Sequence, residues 1–236
     1  PLGRLLLKLS LPTVTAQVIN MLYNIVDRIY IGHIPETGAL ALTGVGVCMP
    51  LIMIVSAFAA LVGNGGAPRA SIFMGKGDKE SAEQTLGNCF TTQIVVSLLL
   101  TLILFTGNKS FLMAFGASEN TIPYAVAYMN IYSLGTIFVQ LTLGMNAFIT
   151  AQGFAKTSML SVLVGAASNI ILDPIFIFAL HMGVRGAALA TIVSQALSCT
   201  WVLHFLMGKK SYLKIHRCNM KLKKDIILPS LALGLS

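Results

Sequence analysis

Stretches of about 20 predominantly apolar residues, the length a helix needs to cross a bilayer, recur six times along the chain. They run from Leu9 to Ile31, from Ala39 to Val62 with a helical extension toward Phe73, from Leu86 to Thr106, from Tyr124 to Ile149, from Met159 to Leu180 and from Ala187 to Met207. Short connections rich in Gly, Pro or charge separate them, among them GHIPETG, GKGDKESAEQ and HMGVRG. The alternating ten-residue segments of an outer-membrane barrel are absent, so the pattern predicts an all-α integral membrane protein.

Within two of these spans the polar residues fall into register. Ser161, Gly165, Asn169 and Asp173 recur every fourth position and form one ridge on a helix whose other faces are Leu, Val, Ile and Phe. A carboxylate near the bilayer centre costs at least about 2.5 kcal/mol, so Asp173 reads as part of an ion or substrate pathway, against the blander reading of polar glue between helices. Pro174 has no N–H to give to the carbonyl of Ile170, which predicts a kink beside Asn169. In the first span Thr13, Gln17, Asn20, Asn24 and Asp27 follow at spacings of four, three, four and three, a single polar stripe that must face the bundle interior. Asp27 adjoins Arg28 near the end of its span, so an interfacial ion pair is the bland alternative there.

Weaker stripes of the same kind are Ser133, Thr136, Gln140 and Gly144 in the fourth span and Ala187, Thr191, Ser194 and Ser198 in the sixth. Small and hydroxyl residues in this pattern usually make packing surfaces. The glycines of LVGNGGAPRAS lack the GK[ST] ending of a phosphate loop and predict a close helix crossing or a kink. Asn108-Lys109-Ser110 matches a glycosylation triplet, with nothing else to argue its use.

Composition agrees with the pattern. Hydrophobic residues make up 56% and charged residues 10%, whereas soluble domains carry roughly a quarter charged. The four cysteines lack paired or CxxC spacing, and no metal or disulfide framework is read from them. With the amino terminus in the cytoplasm, only Arg28, Lys109 and Arg185 of the 16 basic residues fall outside, and the positive-inside rule fixes that orientation in a cell inner (plasma) membrane. The net charge of +8 therefore needs no nucleic acid, and the basic stretch after Met207 is expected to lie on anionic lipid. A chain that begins at Pro1 without Met, and shows no signal peptide, is expected to be trimmed at its start.

The end of the chain copies its beginning: RLLLKLSLP at Arg4 to Pro12 is echoed by KLKKDIILP at Lys221 to Pro229. This divides the chain into a six-helix lobe at 1–207, a basic cytoplasmic linker at 208–224 and the truncated start of a second lobe at 225–236. Two parallel halves around a central cavity are a transporter architecture.

Five segments in order, YNIVDRIYIG at Tyr23, VGNGGAPRASIFMGKGD at Val62, AQGFAKTSM at Ala151, NIILDP at Asn169 and MGVRGAALAT at Met182, resemble the amino-terminal lobe of the multidrug and toxic compound extrusion (MATE) antiporters. The resemblance implies one lobe of a 6+6 exporter that exchanges organic cations or amphipathic drugs for H+ or Na+. It also implies a cation-coupling set of Asp27, Asn169, Asp173 and Thr191, with Asp27, Asn169 and Asp173 as the ligands if the ion is Na+. Gln17, Asn20, Asn24 and Gln140 are expected to line the cavity and Pro174 to kink its helix. No catalytic residues and no cofactor beyond the transported ion are expected, and a second six-helix lobe is expected in the full chain.

Two other classes fit less well. A lipid-linked oligosaccharide flippase of the same superfamily would carry basic residues in its cavity for a pyrophosphate, and the spans hold none away from their ends. An intramembrane aspartyl protease would explain two membrane aspartates, but its GxGD sequence is missing and Asp173 is followed by Pro174.

Overall fold

The computed structural model describes residues 2–235, with side chains from Ser10 onward. Its helices are α1 (Leu2–Gly32), α2 (Gly38–Gly75), α3 (Lys79–Ala114), α4 (Ile122–Leu134), α5 (Thr136–Ala151), α6 (Ala155–Pro174), α7 (Val184–Met207) and α8 (Lys224–Gly234), and no strand occurs among the described residues. Four helices are long and apolar enough to cross a membrane by themselves: α2, α3, α6 with the turn that follows it, and α7. The fourth span of the sequence reading is two helices rather than one, since α4 and α5 meet at Gly135 with a bend of 57°. Here a Cβ on residue 135 would run into Ile192 of α7, so glycine lets α7 press against the junction. Counted as one span, the bent pair makes a fifth candidate. The polar stripe of α1 dilutes its hydropathy, and α1 is not among these candidates.

The helices are tied in two groups: α2 packs on α5 and α3, and α6 packs on α1 and α7, with α5 against α7 joining the groups. One apolar cluster, including Val45, Leu104, Tyr128 and Met129, fills one end of the bundle, and a second, including Leu86, Met145, Phe148 and Leu206, fills the other. Buried glutamines lie between them. Gln93 donates to the carbonyl of Ala59 at 2.9 Å and Gln140 to that of Val55 at 2.7 Å, so both clasp the backbone of α2. In a medium without water an amide side chain must find such a partner.

The glycines of the Gly63 to Gly66 segment act as the close crossing expected of them, within an α2 that runs on without a loop. A Cβ on Gly65 would collide with the carbonyl of Ser230, which is why α8 can lie directly on α2. Arg69 adds a hydrogen bond to the carbonyl of Ile226 at 3.1 Å. The Asn108 triplet lies inside α3, where Asn108 is buried and donates to Asn130 at 2.5 Å, so it is a helix-packing residue.

The basic stretch between α7 and α8 is docked rather than loose. Gln152, just beyond α5, accepts hydrogen bonds through Oε1 from the Ser211 hydroxyl at 3.0 Å and from the N–H groups of Tyr212 at 2.9 Å and Leu213 at 3.0 Å. A 3-10 turn at Arg217–Met220 then crosses α3. There Asn88 donates to Asn219 and accepts from the N–H of Lys223 at 2.7 Å, while Thr91 donates to Met220. Glu83 accepts from the N–H of Lys214 and lies 3.7 Å from both Lys79 and His216.

Candidate functional site

The polar stripe of α1 and the polar ridge of α6 face one another, because α1 packs chiefly on α6. Ser161, Gly165, Asn169 and Asp173 are all buried, Asp173 completely. The carboxyl groups of Asp27 and Asp173 come within hydrogen-bonding reach of each other. Asn169 donates its amide to Asp173 Oδ1 at 3.3 Å. Three oxygens of this cluster, Asp27 Oδ1, Asp173 Oδ2 and Asn169 Oδ1, are buried with no hydrogen-bond partner in the protein. Asp27 makes no ion pair with Arg28 among the described salt bridges, which both involve Glu83 instead.

Pro174 ends the α-winding of α6, and Ile175–Ala179 continues as a π turn in which the N–H of Leu180 reaches back to the carbonyl of Ile175 at 2.8 Å. The helix winding therefore changes directly after the acid. Wider turns of this kind concentrate at functional sites, and the missing N–H of Pro174 separately leaves the carbonyl of Ile170 without its i+4 donor.

Two cavities flank the stripe of α1. The acid-side cavity, about 350 Å³, is lined by Asn20, Tyr23, Asn24, Asp27 and Arg28 of α1, by Met49, Met53 and neighbours of α2, by Tyr128 and Tyr132 of α4, and by Thr191 and Gln195 of α7. The rings of Tyr128 and Tyr132 stack with centroids 6.1 Å apart. The other cavity, about 180 Å³, is lined by Thr13, Gln17 and Asn20 of α1, Asn146 and Thr150 of α5, Ser158 and Asn169 of α6, and Thr191, Ser194, Gln195 and Ser198 of α7, with no charged side chain among its lining residues. Asn20, Tyr23, Leu143, Thr191 and Gln195 line both and form the partition between them.

Most of the sequence-derived residues therefore meet in one place. Asp27, Asn169 and Asp173 form the cluster, Thr191 stands on the partition, and Gln17, Asn20 and Asn24 line the cavities. Gln140 does not. It lines neither cavity and is spent on the backbone of α2, because its amide reaches Val55. The sequence reading also passed over Tyr23, Tyr128, Tyr132, Met49 and Met53, which give the acid-side cavity its aromatic and thioether wall. The signal for Tyr23 was present, since it lies beside Asn20 and Asn24 on the α1 stripe. Tyr128 and Tyr132 stand one helical turn apart on α4.

Comparison with known proteins adds the following. The MatE family model matches residues 12–175. The multidrug export protein MepA of Staphylococcus haemolyticus is 27% identical over 226 residues, which cover 96% of this chain and 50% of that protein. A solved transporter of the MOP superfamily from Pyrococcus furiosus superposes with a TM-score of 0.90 at 26% identity, over 98% of this chain and 51% of that one. The outward-facing structure of a multidrug resistance transporter of the MATE family gives the same TM-score of 0.90 at 26% identity, over 98% of this chain and 51% of its own. The chain spans about half the length of the curated relatives it matches.

Proposed function

This chain belongs to the MatE family, and from that premise we propose that it forms the drug- and cation-binding half of a secondary active multidrug exporter. The name of its staphylococcal relative supports export of drugs. The lobe has six membrane spans in this reading: α1, α2, α3, the bent α4–α5 pair, α6 with its π turn, and α7. The linker and α8 lead into a second lobe, and relatives of about twice the length support that step. The distribution of Lys and Arg supports an amino terminus in the cytoplasm, in a plasma membrane on this reading.

The observation that carries the reading is the facing pair Asp27 and Asp173 with three unpartnered oxygens. Ionised carboxylates only accept hydrogen bonds, so two of them at contact distance are held together by a proton or a metal cation between them. Asn169 contributes an amide oxygen, and Thr191 a hydroxyl on the partition. This is a set of hard oxygen donors suited to Na+ as well as H+. When the cation binds, α1 and α6 draw together; when it leaves, the carboxylates separate and the acid-side cavity takes up water and an organic cation. The faces of Tyr23, Tyr128 and Tyr132 and the adaptable thioethers of Met49 and Met53 suit a range of amphipathic cations. Exchange follows because drug and coupling ion prefer different states of one cavity.

The test uses Asp27→Asn, Asp173→Asn and the double variant in the full-length protein. Each single variant should abolish gradient-driven efflux while keeping folded protein in the membrane, and the double should be little worse than either single, as for residues acting as one unit. Normal export against a gradient by both single variants would reduce the carboxylates to structural glue.

A further inference from the structure

The smaller cavity carries an unusual surplus of one chemical kind. Asn146 Oδ1, Asn169 Oδ1, Ser194 Oγ and Gln195 Oε1 are buried oxygens without a hydrogen-bond partner, and all four residues line it. Several donors around them are already engaged. Asn146 Nδ2 donates to Ser161 Oγ at 2.8 Å, the Ser161 hydroxyl to the carbonyl of Ser158 at 2.7 Å, and the Ser198 hydroxyl to the carbonyl of Ser161 at 2.7 Å. Asn169 gives its amide to Asp173. The unpaired amide oxygens of Asn146, Asn169 and Gln195 can only accept, the Ser194 hydroxyl can accept as well as donate, and no acidic or basic side chain lies on the wall.

Buried polar atoms without partners are rare, and four in one cavity call for an occupant that brings hydrogen-bond donors or positive charge. Water supplies the donors, and about 180 Å³ has room for several molecules at the roughly 30 Å³ each takes in the liquid. Neutral oxygens also attract a small cation without trapping it as a carboxylate would, and a conducting route needs binding strong enough for entry and weak enough for release. The location fits such a route. Asn169 links the cavity to Asp173, while Thr13, Thr150 and Ser158 extend it toward the end of the bundle that holds the start of α1 and the α5–α6 turn, the cytoplasmic end in the orientation proposed above.

We propose that this neutral cavity is the exit station of the coupling ion: a site of uncharged oxygens that takes a small hydrated monovalent cation from the Asp27 and Asp173 pair by way of Asn169 and passes it to the cytoplasm. The proposal rests on the exporter reading and adds to it a second site and a direction of travel. The acids hold the ion, and the neutral oxygens of Asn146, Ser194 and Gln195 receive it as it leaves. A packing role for α7 accounts for Ser198, whose hydroxyl is bonded to α6, and leaves the Ser194 oxygen unexplained.

The test uses the full-length transporter with Asn146→Leu and Ser194→Ala, two residues that line only this cavity. Equilibrium binding is measured in detergent, with radiolabelled Na+ in one arm and proton release in the other, so that the arms identify the ion. Arrival of the same ion at the cytoplasmic face is then timed in oriented proteoliposomes during exchange. Both variants should bind the ion as the parent does, and arrival should slow about tenfold, the effect of losing one hydrogen bond to a charged group. Asn146→Asp, which places a carboxylate on the route, should bind the ion more tightly and also release it more slowly. Ser194→Ala changes little volume and removes no bonded partner, so it serves where Asn146→Leu fails to fold. Unchanged arrival rates in the folded variants overturn the exit station, and so does loss of equilibrium binding in Ser194→Ala, which would make the cavity part of the acid site itself. Asp173→Asn run alongside must lose equilibrium binding; if it binds normally, it is the exporter reading that fails.

Discussion

Replacing Gln152 by Leu tests how firmly the basic stretch is fastened to the bundle. The Gln152 carbonyl oxygen serves three donors, but the Ser211 hydroxyl also reaches the carbonyl of Leu213 at 2.6 Å and has only one proton to give. The loss therefore falls on the N–H groups of Tyr212 and Leu213. Tyr212 is half exposed and its N–H can turn to water, whereas Leu213 is fully buried. Leaving a buried donor unpaired costs about 1–3 kcal/mol, and an exposed bond adds about 1 kcal/mol, so Gln152→Leu should loosen the segment by roughly 2–4 kcal/mol. At 1.4 kcal/mol per factor of ten, the local opening equilibrium rises roughly 30- to 700-fold. Hydrogen exchange of the peptide covering residues 208–216, followed by mass spectrometry of detergent-solubilised protein, reads this directly. Gln152→Glu keeps the acceptor and should protect the peptide as the parent does. If exchange in Gln152→Leu is unchanged, or if Gln152→Glu is equally damaging, the three contacts do not hold the segment.

Two further outcomes are expected. Pro174→Ala supplies the N–H that Ile170 lacks, so α-winding should continue past Asp173; expression should hold while efflux slows several-fold, and parental efflux would make the proline and its π turn incidental. In a background without native cysteines, cysteine placed at Glu36, Lys109 or His181 should react with an impermeant thiol reagent from outside intact cells and cysteine at Lys210 should not; the reverse pattern would invert the assigned orientation.

The acid cluster was legible in the sequence because a membrane forbids stray polarity. Thr13 to Asp27 on α1 and Ser161 to Asp173 on α6 could only be stripes that meet, and they do. Gln140 obeys the same rule by another route: it satisfies its amide on the carbonyl of Val55, and nothing in the residue order separates a clasp of this kind from a cavity wall. The break at Gly135 was hidden because glycine is common within membrane helices, and its consequence depends on Ile192, far along the chain. Docking of the basic stretch left no trace either. Gln152 and Asn88 grip backbone groups, which every residue carries, so charge was the only visible property and it pointed to lipid.

One dimension of α3 has a mechanical consequence. Its 36 residues contain no proline and, at 1.5 Å per residue, form a rod about 54 Å long, against a hydrocarbon core of about 30 Å. Part of the surplus is its amino-terminal end, where Glu83 and, just inside the span that begins at Leu86, Asn88 and Thr91 fasten the basic stretch and α8 lies alongside. Such a rod is a lever. A tilt of about 10° about its centre sweeps that end through about 5 Å. Small shifts at its centre are thereby enlarged at the water-facing end, and α8, which lies beside it, is carried with them.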